Sequence, residues 1–310
     1  MRLDESLSLS TFKAYDSMFK QYLGFLCFHN ITLDQVNSSI FLAYLEFLYY
    51  NDKSHSIMRN HVSGVKWHIQ KLGFSLVPYE DPRLVSYLRS VQKSSPMAYK
   101  LKSIIDPPTL RSLVQASENT YMGLIFKAMY LLGFFSFLRL SNLVPHSTST
   151  FDFRKHLTRE DVFFKQDSAI ILLKWSKTMQ LNNQIKLITI PKLNNDLCPV
   201  SALRDVLTLV PQGRNVPLFQ YKLGSDWIPM TDTRVRRHLH ALLRTLNLQE
   251  SALTFHSLRR SGATFAFHHN VPLQSIKNHG TWSTECVWRY VVDSADAGSA
   301  VAARFAEVLS

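Results

Sequence analysis

Apolar side chains recur at helical spacing through the first hundred residues of the chain. The first predicted helix gathers six of them on one face, with a period near 3.6: Phe12, Tyr15, Phe19, Tyr22, Leu23 and Leu26. The same spacing runs through SSIFLAYLEFLYYN and SIMRNHVSGVKWHIQKLG, and the second stretch ends at Gly73, a residue typical of a helix C-terminus. With RLVSYLRSVQK as its last helix, the pattern predicts a bundle of four or five helices over residues 1–97.

The pattern changes at KSSPMAYKLKSIIDPP, which is polar, basic and proline-containing, as linkers between domains are. We therefore predict a linker at 98–106 and a second domain at 107–310. In this domain YMGLIFKAMYLLGFFSF is apolar almost all round, which is typical of a buried central helix. The runs SAIILLKW and IKLITIP flank the polar stretch SKTMQLNNQ and predict an antiparallel hairpin. The predicted fold class is mainly α with a small antiparallel β-sheet.

Composition limits the class of protein. The chain has 310 residues, of which 46% are hydrophobic, enough for two apolar cores. No apolar run reaches the roughly 20 residues that cross a bilayer, and the start MRLDESLSLSTFKAY lacks the pattern of a signal peptide. We expect an intracellular protein with no membrane partner. The cysteines, Cys27, Cys198 and Cys286, lack the paired spacing of a zinc site, so we expect no metal.

The formal net charge of +12 is unevenly distributed. Residues 1–97 contain 10 Lys or Arg against 8 Asp or Glu, and the remainder contains 25 against 15. A basic excess of this kind attracts polyanions and predicts salt-dependent binding to phosphates. A basic surface that is merely well solvated is the alternative.

Two arginines and a histidine are the first candidates for chemistry. In HSLRR, His256 and Arg259 are three residues apart and share one side of the first turn of a helix that begins near Thr254. The helix N-terminus adds partial positive charge, which favours an anion there, although a surface or capping role is the alternative. Arg139 follows the apolar run of GFFSFLRLSNL, where a guanidinium is costly unless it meets an anion. A distant carboxylate such as Asp161 could also supply that charge.

A lysine and a tyrosine complete the candidates. Lys177 lies in the predicted hairpin turn, where it could reach over a bound backbone; a solvated turn lysine is the alternative, and Lys174 competes for the role. Tyr290 lies in TWSTECVWRYV on a short predicted helix capped by Ser283. A phenol among cations is favoured as its anion, and tyrosine forms covalent intermediates in enzymes. Considered alone, Tyr290 fits a core position better than a catalytic one.

Together these side chains, in this order along the chain, resemble the tyrosine recombinase (phage-integrase-like) family. LLGFFSFLRLSNLV is similar to the family's first arginine region, LLKWSKTMQ to its β-hairpin lysine region, and CPVSALRDVL to a frequent family segment. FHSLRRSGAT resembles the helix with the histidine and second arginine, and IKNHGTWSTECVWRYV resembles the terminal block. The resemblance implies this catalytic set: Arg139, Lys177, His256, Arg259, Trp282 and Tyr290.

The terminal block departs from the commonest family pattern. The family usually has Gly-His nine residues before the tyrosine, whereas Gly280 and Trp282 stand before Tyr290 with a spacing of eight from the tryptophan. This spacing is closer to the recombinases of eukaryotic Crypton and DIRS-like mobile elements. His279 precedes the glycine and does not match the family's second histidine. Asn142 occupies a position that is often acidic, which leaves open what orients the first arginine.

The resemblance also implies a reaction and partners. The expected enzyme is a site-specific recombinase or integrase that cuts and rejoins double-stranded DNA through a 3′-phosphotyrosyl link, without metal, ATP or another cofactor. Residues 1–97 would be a SAM-like core-binding domain that closes a clamp on DNA, and residues 107–310 the catalytic domain. The expected assembly on DNA is a homotetramer, in the nucleus if the source is eukaryotic. The C-terminal stretch SADAGSAVAARFAEVL could dock on a neighbouring protomer, and packing on its own domain is the equal alternative. Candidate DNA contacts, each with packing or solvation as its alternative, are Lys53, Arg59, Lys66, Arg260 and Lys277.

Three rival functions follow from the same residues. A type IB topoisomerase uses nearly the same side chains but reseals the same strand as a monomer. A domesticated DNA-binding protein would keep the fold and no longer cut. A metal-dependent nuclease needs clustered carboxylates or histidines, and the histidines at 238, 240, 268 and 269 have no acidic neighbours in the sequence.

Overall fold

A computed structural model describes residues 7–94, 103–117, 120–176, 185–209, 213–248, 253–282 and 284–291. The chain divides into two units, Met1–Lys100 and Leu101–Ser310. In the first unit the described residues form four α-helices: α1 Leu9–Phe28, α2 Ser38–Tyr50, α3 His55–Leu72 and α4 Pro82–Ser94. Side chains of Ser8, Asn37 and Ser54 accept hydrogen bonds from first-turn N–H groups and so begin the first three helices.

An aromatic core holds the first unit together. The Tyr22 hydroxyl lies 3.2 Å from the Tyr79 hydroxyl, and the Tyr44 hydroxyl lies 2.8 Å from His61 Nδ1, so these buried polar groups have partners. Phe19 and Tyr22 are buried as the helical period predicts, but Leu23 is 37% exposed. The buried face of this helix is therefore narrower than the apolar face that the sequence pattern predicts.

The described residues of the second unit form helices, a three-stranded antiparallel sheet and a two-stranded ribbon. The elements in chain order are α5 Pro107–Ala116, α6 Tyr121–Phe135, α7 Leu140–Leu143, β1 Val162–Phe164, β2 Ser168–Leu173, β3 Lys186–Pro191, α8 Pro199–Leu209, β4 Gln220–Leu223, β5 Asp226–Pro229, α9 Asp232–Thr245, α10 Phe255–His268 and α11 Leu273–His279. A 3₁₀-helix, Glu285–Arg289, follows. The predicted fold class is confirmed.

The hairpin of β2 and β3 is antiparallel, with Ile170 opposite Thr189. Strand β1 pairs with the other edge of β2, so the strand order is β1-β2-β3. Strand β1 and the ribbon of β4 and β5 were absent from the sequence prediction. These strands have three or four residues, too few for an alternating pattern to stand out.

Helix α10, which contains HSLRR, crosses helix α6 closely. Helix α6 is buried along most of its length, as predicted, and α10 packs against its C-terminal end. A Cβ on Gly262 would lie 2.0 Å from the Phe134 carbonyl oxygen, so only glycine permits this approach. The crossing brings the first turn of α10 next to the chain that leaves α6 toward Arg139.

The terminal block differs from its prediction in detail. The predicted short helix is a 3₁₀-helix, and Thr284 begins it by accepting a hydrogen bond from the Cys286 N–H. Ser283, the predicted cap, lies outside the described residues, as do the hairpin turn 177–184 and the tail 292–310. No helix of the described ranges is long and apolar enough to cross a membrane.

Candidate active site

Arg259 is the structural centre of the site. It lies on α10 and is 1% exposed. Its Nη1 donates to the Phe137 carbonyl oxygen, and its Nη2 donates to the Gly280 carbonyl oxygen at 2.6 Å. Phe137 has a φ of +50°, an unusual conformation for a bulky residue, and it is one of the two residues whose carbonyl oxygens accept from the guanidinium. Two segments distant in sequence therefore converge on one arginine.

The Trp282 indole covers the guanidinium. The ring is 4% exposed, and Arg259 Cζ lies 4.1 Å from its centroid, within the range of a cation–π interaction. Gly280 makes room for it, because a Cβ there would lie 1.9 Å from Trp282 Cζ3. The indole position thus depends on the absence of a side chain two residues earlier.

The Tyr290 ring lies beside this stack. Its centroid is 4.9 Å from that of Trp282 and 5.0 Å from that of His256, and Arg259 Cζ lies 5.2 Å from it. Tyr290 ends the 3₁₀-helix, and its carbonyl oxygen accepts a hydrogen bond of 3.2 Å from Thr264 Oγ1 on α10. The structure therefore brings the tyrosine to the histidine and second arginine of HSLRR.

Positive charge dominates the electrostatics. Although His256 retains solvent contact, partial burial of its ring, followed by the charges of Arg259, Arg260 and Arg139, lowers its pKa to about 4. Burial, followed by the charge of Arg139, also lowers the pKa of Arg259, while the Tyr290 phenol opposes that shift. His256 is consequently a neutral imidazole near pH 7 and can accept a proton.

Among the described residues, four N–H donors of the site are buried without a hydrogen-bond partner: Arg139 Nη1, Arg259 Nε, Arg260 Nε and Trp282 Nε1. No carboxylate in the described part of the chain forms an ion pair with any of the three arginines. Buried donors are normally satisfied, and unsatisfied ones call for an explanation. An anion that accepts several hydrogen bonds at once would satisfy this group.

Arg139 stands directly before α7 and is half-buried. Its backbone N–H donates to Asn142 Oδ1 at 3.1 Å. Asp161, which the sequence offered as a partner for Arg139, lies 2.6 Å from Lys174 Nζ and also accepts from the Thr158 hydroxyl at 2.8 Å. Lys174 is thus held in a largely buried ion pair. Lys177 lies outside the described residues, so its position stays a prediction.

Solved structures share this architecture. The chain superposes on the Tn1549 transposon integrase (residues 82–397) in complex with circular intermediate DNA, with a TM-score of 0.60, 15% identity, and coverage of 95% of this chain and 98% of that one. For the XerH site-specific recombinase bound to its difH substrate the values are 0.62, 13%, 94% and 78%. For a lambda integrase dimer bound to a COC′ core site they are 0.55, 15%, 93% and 73%. The chain has the tyrosine recombinase fold. No protein-family model and no curated protein matches the sequence.

In this tyrosine recombinase fold, the other residues predicted to contact DNA differ in their exposure and in their ion pairs. Lys277 Nζ forms an ion pair with Glu285 Oε1, and Lys66 Nζ lies 2.7 Å from Glu80 Oε1. Arg59 is exposed, and Lys53 is half-buried in the same helical unit. Their roles in DNA binding stay predictions. No group of three or more His, Cys, Asp or Glu side chains that could hold a metal ion occurs in the described ranges.

Two features of the site escaped the sequence analysis. The carbonyl oxygens of Phe137 and Gly280 hold Arg259, yet a backbone acceptor leaves no mark on residue type. Gly280 was noticeable as a glycine before a tryptophan, but its steric role needs the fold. His279 is also a structural residue here, because its Nε2 lies 2.9 Å from the Phe135 carbonyl oxygen and its ring packs against that of Phe137.

Proposed function

We propose that this chain is a site-specific DNA recombinase or integrase that cuts and rejoins strands through a 3′-phosphotyrosyl link on Tyr290. One observation carries the proposal: four unpartnered, buried N–H donors belong to residues that surround a tyrosine and a neutral histidine. A phosphodiester offers oxygens that accept several such hydrogen bonds. The Tn1549 integrase, XerH and lambda integrase structures, each solved with DNA, support the same substrate class.

In the proposed reaction Tyr290 is the nucleophile. His256 accepts the phenolic proton, and the phenolate oxygen forms a bond to the scissile phosphorus. The bond from phosphorus to the 5′-oxygen breaks, and Lys177 supplies a proton to that oxygen. Proton transfer by a positioned group contributes about 10²–10⁴-fold in enzymes. The 3′ end remains joined to the protein, and a 5′-hydroxyl is released.

Arg139 and Arg259 stabilise the charge that develops on the non-bridging oxygens. Arg259 is already fixed by two backbone carbonyls and by Trp282, so it does not have to reorganise as the charge develops. Trp282 donates its indole N–H to the same phosphate. Because one phosphodiester replaces another at each step, the 5′-hydroxyl of a second strand can reverse the reaction without metal or ATP.

We propose that Arg260, at the edge of the site, and basic residues outside it bind the DNA backbone. Arg260 lies one residue beyond Arg259, and its Nε has no partner among the described residues. In the helical unit Lys53, Arg59 and Lys66 are the proposed contacts, and residues 1–97 act as the core-binding domain. Ionic contacts of this kind make binding salt-dependent and largely independent of sequence.

Assembly is proposed to be a homotetramer on DNA, with the C-terminal stretch as the link between protomers. Val301, Phe305 and Val308 recur at helical spacing in that stretch. The second unit has an apolar groove of about 390 Å³, lined chiefly by side chains of α6, α10 and α11. Phe305→Asp should abolish tetramers in mass photometry while preserving DNA binding by monomers. Unchanged tetramers would remove the tail from the assembly.

The spacing from Trp282 to Tyr290 supports a relationship to Crypton and DIRS-like elements, and we propose a mobile element of a eukaryotic nucleus as the natural setting. A fluorescent fusion expressed in eukaryotic cells tests the nuclear location. Exclusion from the nucleus would contradict it.

Covalent capture tests the function directly. Purified protein is incubated with supercoiled DNA that carries candidate element ends, the mixture is denatured, and protein attached to a 3′ end is sought. Tyr290→Phe should abolish the adduct and leave DNA affinity unchanged, because only the nucleophilic oxygen is removed. Tyr50→Phe is the matched control, since Tyr50 is 77% exposed in the helical unit.

Each outcome distinguishes the candidates. An adduct that survives Tyr290→Phe would move the nucleophile elsewhere. DNA binding without any adduct in the wild-type protein would favour a domesticated, non-cutting protein. An adduct with relaxation of supercoils, but no exchange between two sites, would favour a type IB topoisomerase.

Kinetics separate catalysis from binding. Arg139→Ala should lower the single-turnover cleavage rate far more than DNA affinity, because its interaction strengthens in the transition state. Arg59→Ala should do the opposite, with weaker binding and a salt slope reduced by about one. Equal losses of rate and affinity for Arg139→Ala would assign it to binding alone.

A further inference from the structure

His256, Arg259 and Arg260 form a triangle on one face of α10. Arg259 follows His256 by three residues and Arg260 follows it by four, and residues at both spacings are neighbours on a helix surface. The Tyr290 ring centroid lies 5.0 Å from that of His256, and the Tyr290 carbonyl oxygen accepts from Thr264, four residues after Arg260. The proposed nucleophile therefore contacts α10 one turn before Arg260 and one turn after it.

The charge of Arg260 acts on both the proposed nucleophile and the proposed base. Burial lowers the pKa of Arg260, and the Tyr290 phenol opposes that shift. Burial, followed by the charges of Arg259, Arg260 and Arg139, lowers the pKa of His256. The Arg260 guanidinium thus lies within electrostatic range of the two groups between which the phenolic proton would move.

The two neighbouring arginines of α10 differ in the donors that they have left. Arg259 already donates from Nη1 to the Phe137 carbonyl oxygen and from Nη2 to the Gly280 carbonyl oxygen. Arg260 Nε is buried and has no hydrogen-bond partner among the described residues, and none of the ion pairs between described residues includes Arg260. A guanidinium holds a phosphate best through two parallel N–H groups. Arg260 has such a pair to offer, whereas each Nη of Arg259 already holds the fold together.

We propose that Arg260 is a third catalytic arginine, which donates to a non-bridging oxygen of the scissile phosphate beside Tyr290 and stabilises the negative charge that develops there. The inference rests on the proposed function and narrows its general DNA contact at Arg260 to one phosphate. Arg259 then serves chiefly to join the segments of Phe137 and Gly280. Loss of one preorganised donor to a developing oxyanion costs about 10²–10³-fold in rate, which sets the expected effect of Arg260→Ala.

A neutral phosphate analogue provides the decisive test. Sequencing the DNA of the wild-type covalent adduct first locates the scissile phosphate. A synthetic duplex of the same sequence then carries a methylphosphonate there, in which a methyl group replaces one non-bridging oxygen and removes the negative charge. The phenolic oxygen still forms its bond to phosphorus, and the 5′-oxygen still leaves. The ratio of Arg260→Ala to wild-type cleavage rate, at saturating DNA, should be about 10⁻² on the ordinary duplex and within about threefold of one on the methylphosphonate.

Two further variants separate the fork and the local charge from the net charge of the protein. Arg260→Lys keeps the charge and loses the fork, so its rate on the ordinary duplex should lie between those of wild type and Arg260→Ala. Arg237→Ala is the matched control, because Arg237 is an exposed arginine of α9 in the same unit. Its ratio to wild type should be the same on both duplexes. Recovery of Arg260→Ala on the methylphosphonate also excludes misfolding as the cause of its loss.

The outcomes distinguish this inference from the proposed function. An equal loss for Arg260→Ala on both duplexes would overturn the catalytic role of Arg260 while the wild-type adduct remains. Recovery only when the methylphosphonate stands at a neighbouring phosphate would also overturn it and would return Arg260 to backbone binding. Absence of an adduct with the wild-type protein would instead overturn the proposed function, and the role of Arg260 with it.

Discussion

Gly280→Ala tests the packing on which the site depends. The added Cβ would lie 1.9 Å from Trp282 Cζ3 and 2.3 Å from Cε3. Carbon atoms in contact lie at least about 3.5 Å apart, so the indole must move by roughly 1.5 Å. The ring is 4% exposed and lies against Arg259 and Tyr290, so its movement disturbs their packing. Overpacking of this kind costs about 1–3 kcal/mol of the free energy of unfolding.

A double-mutant cycle that combines Gly280→Ala with Trp282→Ala tests this estimate. Gly280 has φ −82° and ψ 2°, a conformation that alanine adopts without strain. Once the indole is absent, Gly280→Ala should therefore be neutral or stabilise the protein by about 0.4–1 kcal/mol, through the lower entropy of the unfolded chain. The expected coupling between the two positions is about 1–4 kcal/mol.

Urea unfolding of the four proteins, followed by circular dichroism, measures this coupling. The same displacement should lower the single-turnover cleavage rate of Gly280→Ala by about 10²-fold, because the indole would carry its N–H away from the phosphate. An equal cost of Gly280→Ala in both backgrounds would show that the indole does not occupy the place that the structure gives it.

Three further predictions concern charge. Because the pKa of His256 is lowered to about 4, the neutral base persists in mild acid in the DNA-free protein. The second-order cleavage rate, measured at DNA concentrations well below saturation, should therefore stay level down to about pH 5, and an acid limb centred on 6.5 contradicts this assignment. Lys177→Ala should regain cleavage on DNA with a 5′-bridging sulfur, because a thiolate leaves without a proton. Lys174→Ala should show no such rescue, because the Lys174 ammonium already pairs with the Asp161 carboxylate at 2.6 Å. Glu285→Gln should raise DNA affinity in fluorescence anisotropy by releasing Lys277 to a phosphate, and Lys277→Met should remove that gain; a gain that persists would assign Lys277 to structure alone.

The ion pair between Lys277 and Glu285 contributes little to the stability of the fold. The Glu285 side chain is 69% exposed, and exposed pairs contribute about 0–1 kcal/mol to stability. A change in DNA affinity without a change in the urea midpoint is therefore the expected signature of Glu285→Gln.

Much of the secondary structure could be predicted from local pattern. The all-apolar stretch became the buried helix α6, and the two aliphatic runs became β2 and β3. Local pattern failed for β1, whose three residues carry too little periodicity, and for Leu23, which lies at the margin of its helical face. It also could not distinguish a 3₁₀-helix from an α-helix before Tyr290, because the two share residue preferences over a single turn.

The sequence by itself determined which side chains capable of chemistry are present and in which order. It also determined that His256 and Arg259 share one side of a helical turn, because that relation depends only on a spacing of three residues. Only the tertiary structure decided that Arg259 meets the carbonyl oxygen of Phe137, 122 residues earlier, and that Asn142 meets Trp175. Helical periodicity is a property of neighbours along the chain, whereas these contacts arise from the path of the intervening chain, which residue spacing does not encode.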